Sequence, residues 1–187
     1  MVKKRTCIFI SGTGTNLKSI IKNSRDYNFP VNISLVISNK KNAAGLLFAK
    51  IFSIPYMILN FKKKKFEKVA LEELEKRKIE LVCLAGFMRI LSKNFVRNFK
   101  GKIINIHPSL LPKFKGLNTF NRVLKHKEKI TGCTVHFVDE KLDNGKIILK
   151  RRIFIKEKET EKDLKKRVQL EEYKAYSAAI RKIYNTS

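Results

Sequence analysis

The sequence lacks several features that would assign it to whole classes of protein. Its 187 residues contain no apolar run near the ~20 residues of a membrane-spanning helix, so a transmembrane protein is not expected. The first apolar stretch ends at Ser11-Gly12 and is too short for a secretory signal peptide. Repeats, low-complexity linkers and Pro/Gly-rich boundaries are also missing. These absences predict one domain over residues 1–187, in the cytoplasm.

Cysteine is scarce as well. The three cysteines, Cys7, Cys83 and Cys133, form no CxxC pair and no zinc-binding spacing. Each lies in an apolar stretch and is expected to be a small core residue in a reducing compartment. The sequence therefore predicts no metal site.

Acidic residues are few, with 16 Asp and Glu against 42 Lys and Arg and a net charge of +26. Such a charge favours anionic partners, and a nucleic-acid-binding module is one interpretation. The excess is mostly Lys, a solvated point charge, rather than Arg, which reads bases and phosphates. A second interpretation of the positive charge is that surface positions drifted to Lys in an AT-rich genome. No stacking pattern of aromatic and basic residues supports specific nucleic-acid binding.

The sequence does contain short apolar runs that alternate with helical patterns. Strands are predicted at residues 6–10, 31–37, 55–59, 81–85 and 103–107. Helical patterns lie between them, around Leu17, at 43–51 and at 66–78. This alternation predicts an α/β fold with a mostly parallel central sheet and helices on both faces.

The alternation of predicted strands and helices changes after residue 117. A short helix at 120–125 precedes strands at 134–138 and 147–155, which are expected to pair antiparallel around a turn at Asp143-Asn144-Gly145. A capping-box pattern at 160–163 predicts the start of a last helix that runs to about Tyr184. In a parallel sheet, ligands bind outside the carboxyl ends of the strands, so the loops at those ends are the candidate sites.

Two of these loops follow the first and fourth predicted strands. Gly12-Thr13-Gly14-Thr15-Asn16 opens a helix and is either a phosphate-binding turn or an ordinary tight turn. Residues 85–92, AGFMRILS, either line a flat apolar pocket or form a buried turn. Ser92 is expected to cap the helix that follows.

Two further loops contain groups that move protons or stabilise charge. Asn105 and His107 alternate at the end of a strand and point to the same face. An Asn amide can donate to a developing oxyanion, and a His can exchange a proton near neutral pH. The acids in residues 138–145 either lie close to His107 and favour its protonated form or belong to a solvated hairpin turn.

Taken together, these loops resemble the phosphoribosylglycinamide formyltransferases, folate-dependent enzymes of purine synthesis. The matching segments are ISGTGTNL (10–17), AGFMRILS (85–92), NIHPSLLP (105–112), GCTVHFV (132–138) and DNG (143–145). The resemblance covers roughly residues 5–180 and implies a Rossmann-like formyltransferase fold. It implies transfer of a formyl group from 10-formyltetrahydrofolate to the amine of 5′-phosphoribosylglycinamide in de novo purine biosynthesis, without a metal.

The resemblance also assigns roles to residues. The implied catalytic residues are Asn105, His107 and Asp143. The implied contacts to the glycinamide substrate are Gly14, Thr15, Asn16, Gln169 and Glu172. The implied folate-binding residues are Lys63, Met88, Arg89, Ile90, Leu91, Asn105, Asp139, Glu140, Lys141, Leu142 and Asp143. The implied partners are small-molecule substrates, with no specific nucleic acid, no membrane and a monomer or weak dimer.

Two departures from the family pattern stand out. Lys63 occupies the position where the family usually has Arg, and Lys cannot make the same bidentate contact. The sequence ends at Ser187, where family members often continue. Methionyl-tRNA formyltransferase and formyltetrahydrofolate hydrolase stay as rival interpretations, although both of these enzymes are usually longer chains with an additional domain.

Overall fold

The first part of the chain alternates strands and helices, as its apolar pattern predicts. A computed structural model describes residues 2–60 and 66–184. The chain divides into two compact units that meet in sequence between Ile104 and Asn105. The elements of the first unit are β1 (Lys4–Ile10), α1 (Thr15–Ser24), β2 (Val31–Ser38), α2 (Leu46–Ile51), β3 (Tyr56–Ile58), α3 (Phe66–Lys76), β4 (Leu81–Leu84) and α4 (Lys93–Asn98).

The sheet of the first unit is parallel throughout the described pairs. Strand β1 pairs with β2 on one side and β4 on the other, and β2 pairs with β3, which gives the order β3-β2-β1-β4. The last residues of β1, from Cys7 to Ile10, are fully buried. A continuous apolar run of this kind is typical of a central parallel strand, which is covered on both faces.

The second unit begins inside strand β5 (Lys102–His107), whose last residues carry two of the predicted site side chains. It continues with α5 (Thr119–Lys125), β6 (Ile130–Phe137), β7 (Ile147–Phe154) and α6 (Glu161–Tyr184). Strands β6 and β7 pair antiparallel, as predicted. Helix α6 packs on both strands and buries Leu164, Val168 and Tyr176.

Two predicted boundaries differ from the structure by three or more residues. Strand β6 begins at Ile130 rather than at residue 134. Gly132 hid this start, because glycine usually weakens a strand. Here it is needed, since a Cβ at this position would lie 1.8 Å from the carbonyl oxygen of Arg151. Helix α2 begins at Leu46 rather than at residue 43, directly after Gly45.

The α/β class, with a mostly parallel sheet and an antiparallel C-terminal strand pair, is confirmed. The three cysteines are buried, as predicted. The prediction of one domain over 1–187 stays a prediction. No helix within residues 2–60 and 66–184 has the length and apolar character that a bilayer crossing requires.

Candidate active site

Strand β5 carries two polar side chains in the first residues of the second unit. Asn105 and His107 are two residues apart, which puts them on the same face of the strand. Nδ1 of His107 lies 3.3 Å from Oδ2 of Asp143, and both side chains are buried. The structure therefore brings together His107 and the predicted acid from the turn after β6.

The ring of His107 is held at both nitrogens. Its Nε2 lies 2.8 Å from the carbonyl oxygen of Phe114. A carbonyl oxygen can only accept a hydrogen bond, so this network assigns the hydrogen to Nε2. Nδ1 then faces the carboxylate of Asp143, a contact that is favourable when one proton lies between ring and carboxylate.

Asp143 is positioned by its backbone and by the loop opposite. Its φ is 48°, in the left-handed region that Asp and Asn adopt more readily than most residues. Its Oδ2 also accepts a hydrogen bond of 2.8 Å from the backbone N–H of Gly116. A Cβ on Gly145 would lie 1.9 Å from the carbonyl oxygen of Phe137, so only glycine lets the turn fold this close to β6.

A second histidine, His136 of β6, completes the cluster. Its Nδ1 donates to the carbonyl oxygen of Phe137 at 2.7 Å, which leaves Nε2 as an acceptor. That Nε2 lies 3.5 Å from Nδ2 of Asn105 and 3.7 Å from Oδ1 of Asp143. Burial lowers the pKa of His136, and the Phe137 carbonyl and Asp143 only partly oppose this. His136 is therefore neutral at pH 7 and orients the amide of Asn105.

Sequence reasoning did not include His136 or the backbone groups of Phe114 and Gly116 in the site. The alternation of Thr134 and His136 along β6 was a usable signal, since it matches that of Asn105 and His107. The backbone groups of Phe114 and Gly116 gave no such signal, because nearly every residue type has the same carbonyl and N–H groups.

The predicted folate-binding stretch 139–143 is an exposed turn around one buried acid. Asp139 accepts a 2.9 Å hydrogen bond from the N–H of Lys141, and Leu142 is 51% exposed. Glu140 and Lys141 are exposed as well. Only Asp143 points inward, which fits its separate assignment as a catalytic residue.

Helix α6 carries the two other predicted substrate contacts of this unit. Gln169 and Glu172 are three residues apart, on neighbouring turns of one helix face, and both are half-buried. Burial raises the pKa of Cys133 to about 12, and the carboxylate of Glu172 adds to this effect. Glu172 therefore lies near β6.

The predicted phosphate turn of the first unit is built on two glycines that face each other. Gly14 has a φ of 71° and precedes α1, whose first turn contains no acidic residue. A Cβ on Gly14 would lie 2.5 Å from Cα of Gly45. The turn leaves the N-terminus of α1 without a side-chain cap, and helix N–H groups of this kind bind anions. Thr15 and Asn16 are the first two residues of this helix.

The loop after β4 is tied to the loop after β1. Ser11 accepts a 2.7 Å hydrogen bond from the N–H of Met88 and donates one of 2.6 Å to Oδ1 of Asn39. Met88 is 65% and Ile90 70% exposed, whereas Leu91 is buried. Arg89 is exposed. Apolar side chains presented in this way can cover a flat ring. Lys63 lies outside the described residues.

The helix after this loop begins as predicted. The hydroxyl of Ser92 accepts a 3.1 Å hydrogen bond from the N–H of Phe95, so Ser92 is the N-cap of α4. Across residues 2–60 and 66–184, no group of three or more His, Cys, Asp or Glu side chains is arranged to hold a metal ion.

A family model described as "Formyl transferase" matches residues 4–180. The chain belongs to this family. It is 39% identical over 184 residues to the phosphoribosylglycinamide formyltransferase of Haemophilus influenzae, covering 95% of this chain and 86% of that protein. It is 46% identical over 182 residues to the human trifunctional purine biosynthetic protein adenosine-3, covering 95% of this chain but only 18% of that protein.

A solved structure shares the fold over almost the whole chain. The glycinamide ribonucleotide transformylase 1 of Symbiobacterium toebii matches with a TM-score of 0.92 at 37% identity, covering 96% of this chain and 86% of that one. The expected Rossmann-like formyltransferase fold is thereby confirmed.

Proposed function

We propose that the chain transfers the formyl group of 10-formyltetrahydrofolate to the amine of 5′-phosphoribosylglycinamide, a step of de novo purine biosynthesis. The main support is the cluster of half-buried Asn105 with buried His107 and Asp143, in a chain that resembles named phosphoribosylglycinamide formyltransferases over most of its length. The cluster holds an amide donor and a proton-exchanging pair, which are the groups that this reaction needs.

The reaction needs no protein nucleophile. The substrate amine attacks the formyl carbon, a C–N bond forms, and the carbonyl electrons move to oxygen. Nδ2 of Asn105 has two hydrogens. One points to Nε2 of His136 at 3.5 Å, and the other is assigned here to the oxyanion. Loss of one such donor typically slows the reaction by about 10²–10³-fold.

Collapse of the intermediate breaks the bond between the formyl carbon and the folate nitrogen. The electron pair leaves with that nitrogen, which must take up a proton. The attacking amine must lose one. His107 and Asp143, 3.3 Å apart, accept the proton from the amine and return it to the leaving nitrogen. Such positioned proton transfer contributes about 10²–10⁴-fold.

The remaining predicted residues are assigned to binding. The turn Gly14-Thr15-Asn16 holds the substrate phosphate at the N-terminus of α1, while Gln169 and Glu172 contact the glycinamide part. The folate donor contacts residues 88–91 and 139–143, together with Asn105 and Lys63. We further propose a monomer or weak dimer of one domain in the cytoplasm, with no resident metal and no specific nucleic-acid partner.

The proposal is tested by formyl transfer from 10-formyltetrahydrofolate, with phosphoribosylglycinamide, methionyl-tRNA and water as competing acceptors. We expect transfer to the glycinamide alone. Asn105→Ala and His107→Ala should each abolish most of it, whereas Asn121→Ala, on the exposed side of α5, should not. Transfer only to tRNA or to water would replace the proposed acceptor. No transfer by a folded chain would refute the proposed activity.

A further inference from the structure

The segment Phe114-Lys115-Gly116 is held from one side by helix α5. All three of its backbone carbonyls accept hydrogen bonds from two side chains of this helix. Nη2 of Arg122 donates to the carbonyl of Phe114 at 2.9 Å and to that of Lys115. The hydroxyl of Thr119 donates to the carbonyl of Gly116 at 3.1 Å. The two hydrogens on Nη2 are thus both used by the segment.

The same segment contacts both members of the His107–Asp143 pair. The carbonyl of Phe114 accepts the hydrogen on Nε2 of His107, and the N–H of Gly116 donates to Oδ2 of Asp143, each at 2.8 Å. The ammonium group of Lys115 donates to Oδ1 of Asn144, next to Asp143, at 2.9 Å. A shift of this backbone would therefore move the ring and the carboxylate relative to each other.

The backbone of the segment does not adopt this shape by preference. Phe114 has a φ of 57° and Gly116 one of 79°. The first value is unfavourable for a residue with a bulky side chain, so the conformation needs support from outside the segment. Arg122 supplies this support by its two hydrogen bonds and by its guanidinium group, which lies 5.9 Å from the centre of the Phe114 ring.

We infer that Arg122 is a positioning residue for the reaction proposed above. It fixes the Phe114 carbonyl, which in turn fixes the ring of His107 so that Nδ1 faces Asp143. Arg122 does not touch the reacting atoms. The kinetic part of this inference rests on the proposed function, whereas the effect on the ring of His107 does not.

The test compares three variants of the full chain. Arg122→Met keeps most of the side-chain length and removes both hydrogen bonds. Arg122→Lys keeps the charge and can still donate to the carbonyls. Lys125→Met makes the same change of charge at an exposed position on the same helix and serves as the matched control. The readouts are kcat, the two KM values, the melting temperature and the ¹⁵N chemical shifts of the His107 ring.

We expect Arg122→Met to lower kcat by roughly 10- to 100-fold, because small misplacements of reacting groups have effects of this size. Both KM values should change less than about threefold, since Phe114 and Lys115, which accept the hydrogen bonds of Arg122, are not among the residues assigned to binding. The ¹⁵N shift of Nε2 should move as its hydrogen bond to Phe114 weakens. Arg122→Lys should restore at least part of kcat and of the shift, and Lys125→Met should match the wild type.

Two results would overturn the inference. One is an unchanged ¹⁵N spectrum of His107 in folded Arg122→Met. The other is a loss of kcat that merely follows the fraction of unfolded protein. Should the Met variant not fold, Arg122→Gln, which can satisfy one carbonyl rather than two, decides the matter: wild-type kcat and wild-type ring shifts there would refute a positioning role. If the wild type transfers no formyl group, the proposed function fails, and the ring shifts alone still test the effect on His107.

Discussion

The two units of the chain prepare their predicted site residues in opposite ways. In the second unit, His107, His136 and Asp143 are each at most 8% exposed. Each is held by a hydrogen bond of 2.7–2.8 Å to a backbone group. In the first unit, Met88 and Ile90 are 65% and 70% exposed, and the turn before α1 offers backbone groups rather than side chains. One region is organised in advance, whereas the other presents an open surface.

This difference matches the two kinds of work in the proposed reaction. Proton transfer and oxyanion stabilisation depend on fixed geometry. The pair His107 and Asp143 is accordingly buried, and the half-buried Asn105 lies 3.5 Å from His136. Binding of a flat ring or a phosphate tolerates an exposed partner, because apolar contact and helix N–H groups act without a pre-formed network. Substitutions in the first region should therefore affect affinity or stability, and those in the second region turnover.

The largest effect is expected for Asp143→Asn. The amide has the shape of the carboxylate and accepts the left-handed backbone, but it removes the charge that faces His107. We expect kcat to fall about 10²–10⁴-fold with little change in melting temperature. Glu157→Gln, an exposed acid in the same unit, should retain wild-type activity. A decrease below threefold for Asp143→Asn would mean that the buried pair does not act in turnover.

Gly14→Ala should affect stability in the first unit. The new Cβ would lie 2.5 Å from Cα of Gly45, at a φ of 71° that disfavours any side chain. We expect the free energy of unfolding to fall by about 1–3 kcal/mol in urea titrations. Gly12→Ala is the matched control, because nothing lies within 4 Å of its Cβ. Equal stability of the two variants would contradict the close packing of Gly14.

Ile90→Ser should separate binding from turnover. Because Ile90 is 70% exposed, its replacement should leave the free energy of unfolding within about 0.5 kcal/mol. The KM for the folate donor should rise by about 5- to 10-fold, because less apolar surface leaves water on binding, while kcat stays the same. Ile51→Ser, 62% exposed on α2, is the control. An equal KM for both variants would remove Ile90 from the folate surface.

The smallest effect is expected for the protonation of His136, which should make the free energy of unfolding depend on pH. Its pKa is lowered in the folded chain, so as pH falls below about 6.5 the unfolded chain takes up a proton that the folded chain does not. Its contribution to the free energy of unfolding is therefore complete above pH 7 and is lost on acidification. Between pH 7.5 and 5.5 we expect a decrease of about 1 kcal/mol or less in urea titrations.

His136→Asn should flatten this part of the pH profile. The comparison is between the slopes of the two proteins, because other groups titrate in both. Parallel profiles would mean that His136 is protonated equally in the folded and unfolded chains.

Most of the fold followed from local patterns in the sequence. The apolar runs located every strand of the part of the chain that the structure describes. Thr160 caps the last helix by accepting a hydrogen bond from the N–H of Asp163 at 3.2 Å. The early start of β6 did not follow, because Gly132 looks like a break until the carbonyl of Arg151 occupies the space of its missing side chain. The need for glycine at residue 132 comes from a contact between β6 and β7. Gly132 and Arg151 are far apart in the sequence, so a local sequence pattern does not reveal this contact.

The side chains of the candidate site could be predicted from the sequence, but its backbone groups could not. Asn105 and His107 follow from alternation along a strand, and Asp143 from the resemblance to a family. The carbonyl of Phe114 and the N–H of Gly116 could not be predicted, because every residue offers such groups. Both groups belong to a segment in which Phe114 has a left-handed backbone conformation. A bulky side chain disfavours this conformation, and the hydrogen bond from Arg122 supports it.

Tight backbone contacts at Gly14, Gly132 and Gly145 have a consequence for how substitution tolerance would be interpreted in this chain. A Cβ at any of them would come within 2.5 Å of another backbone atom, so substitution at each should lower the stability of the fold. A scan that ranks positions by intolerance would place Gly145 beside Asp143, two residues away. Only one of the two has a functional group, and intolerance at the other would record the close passage of two chain segments rather than chemistry.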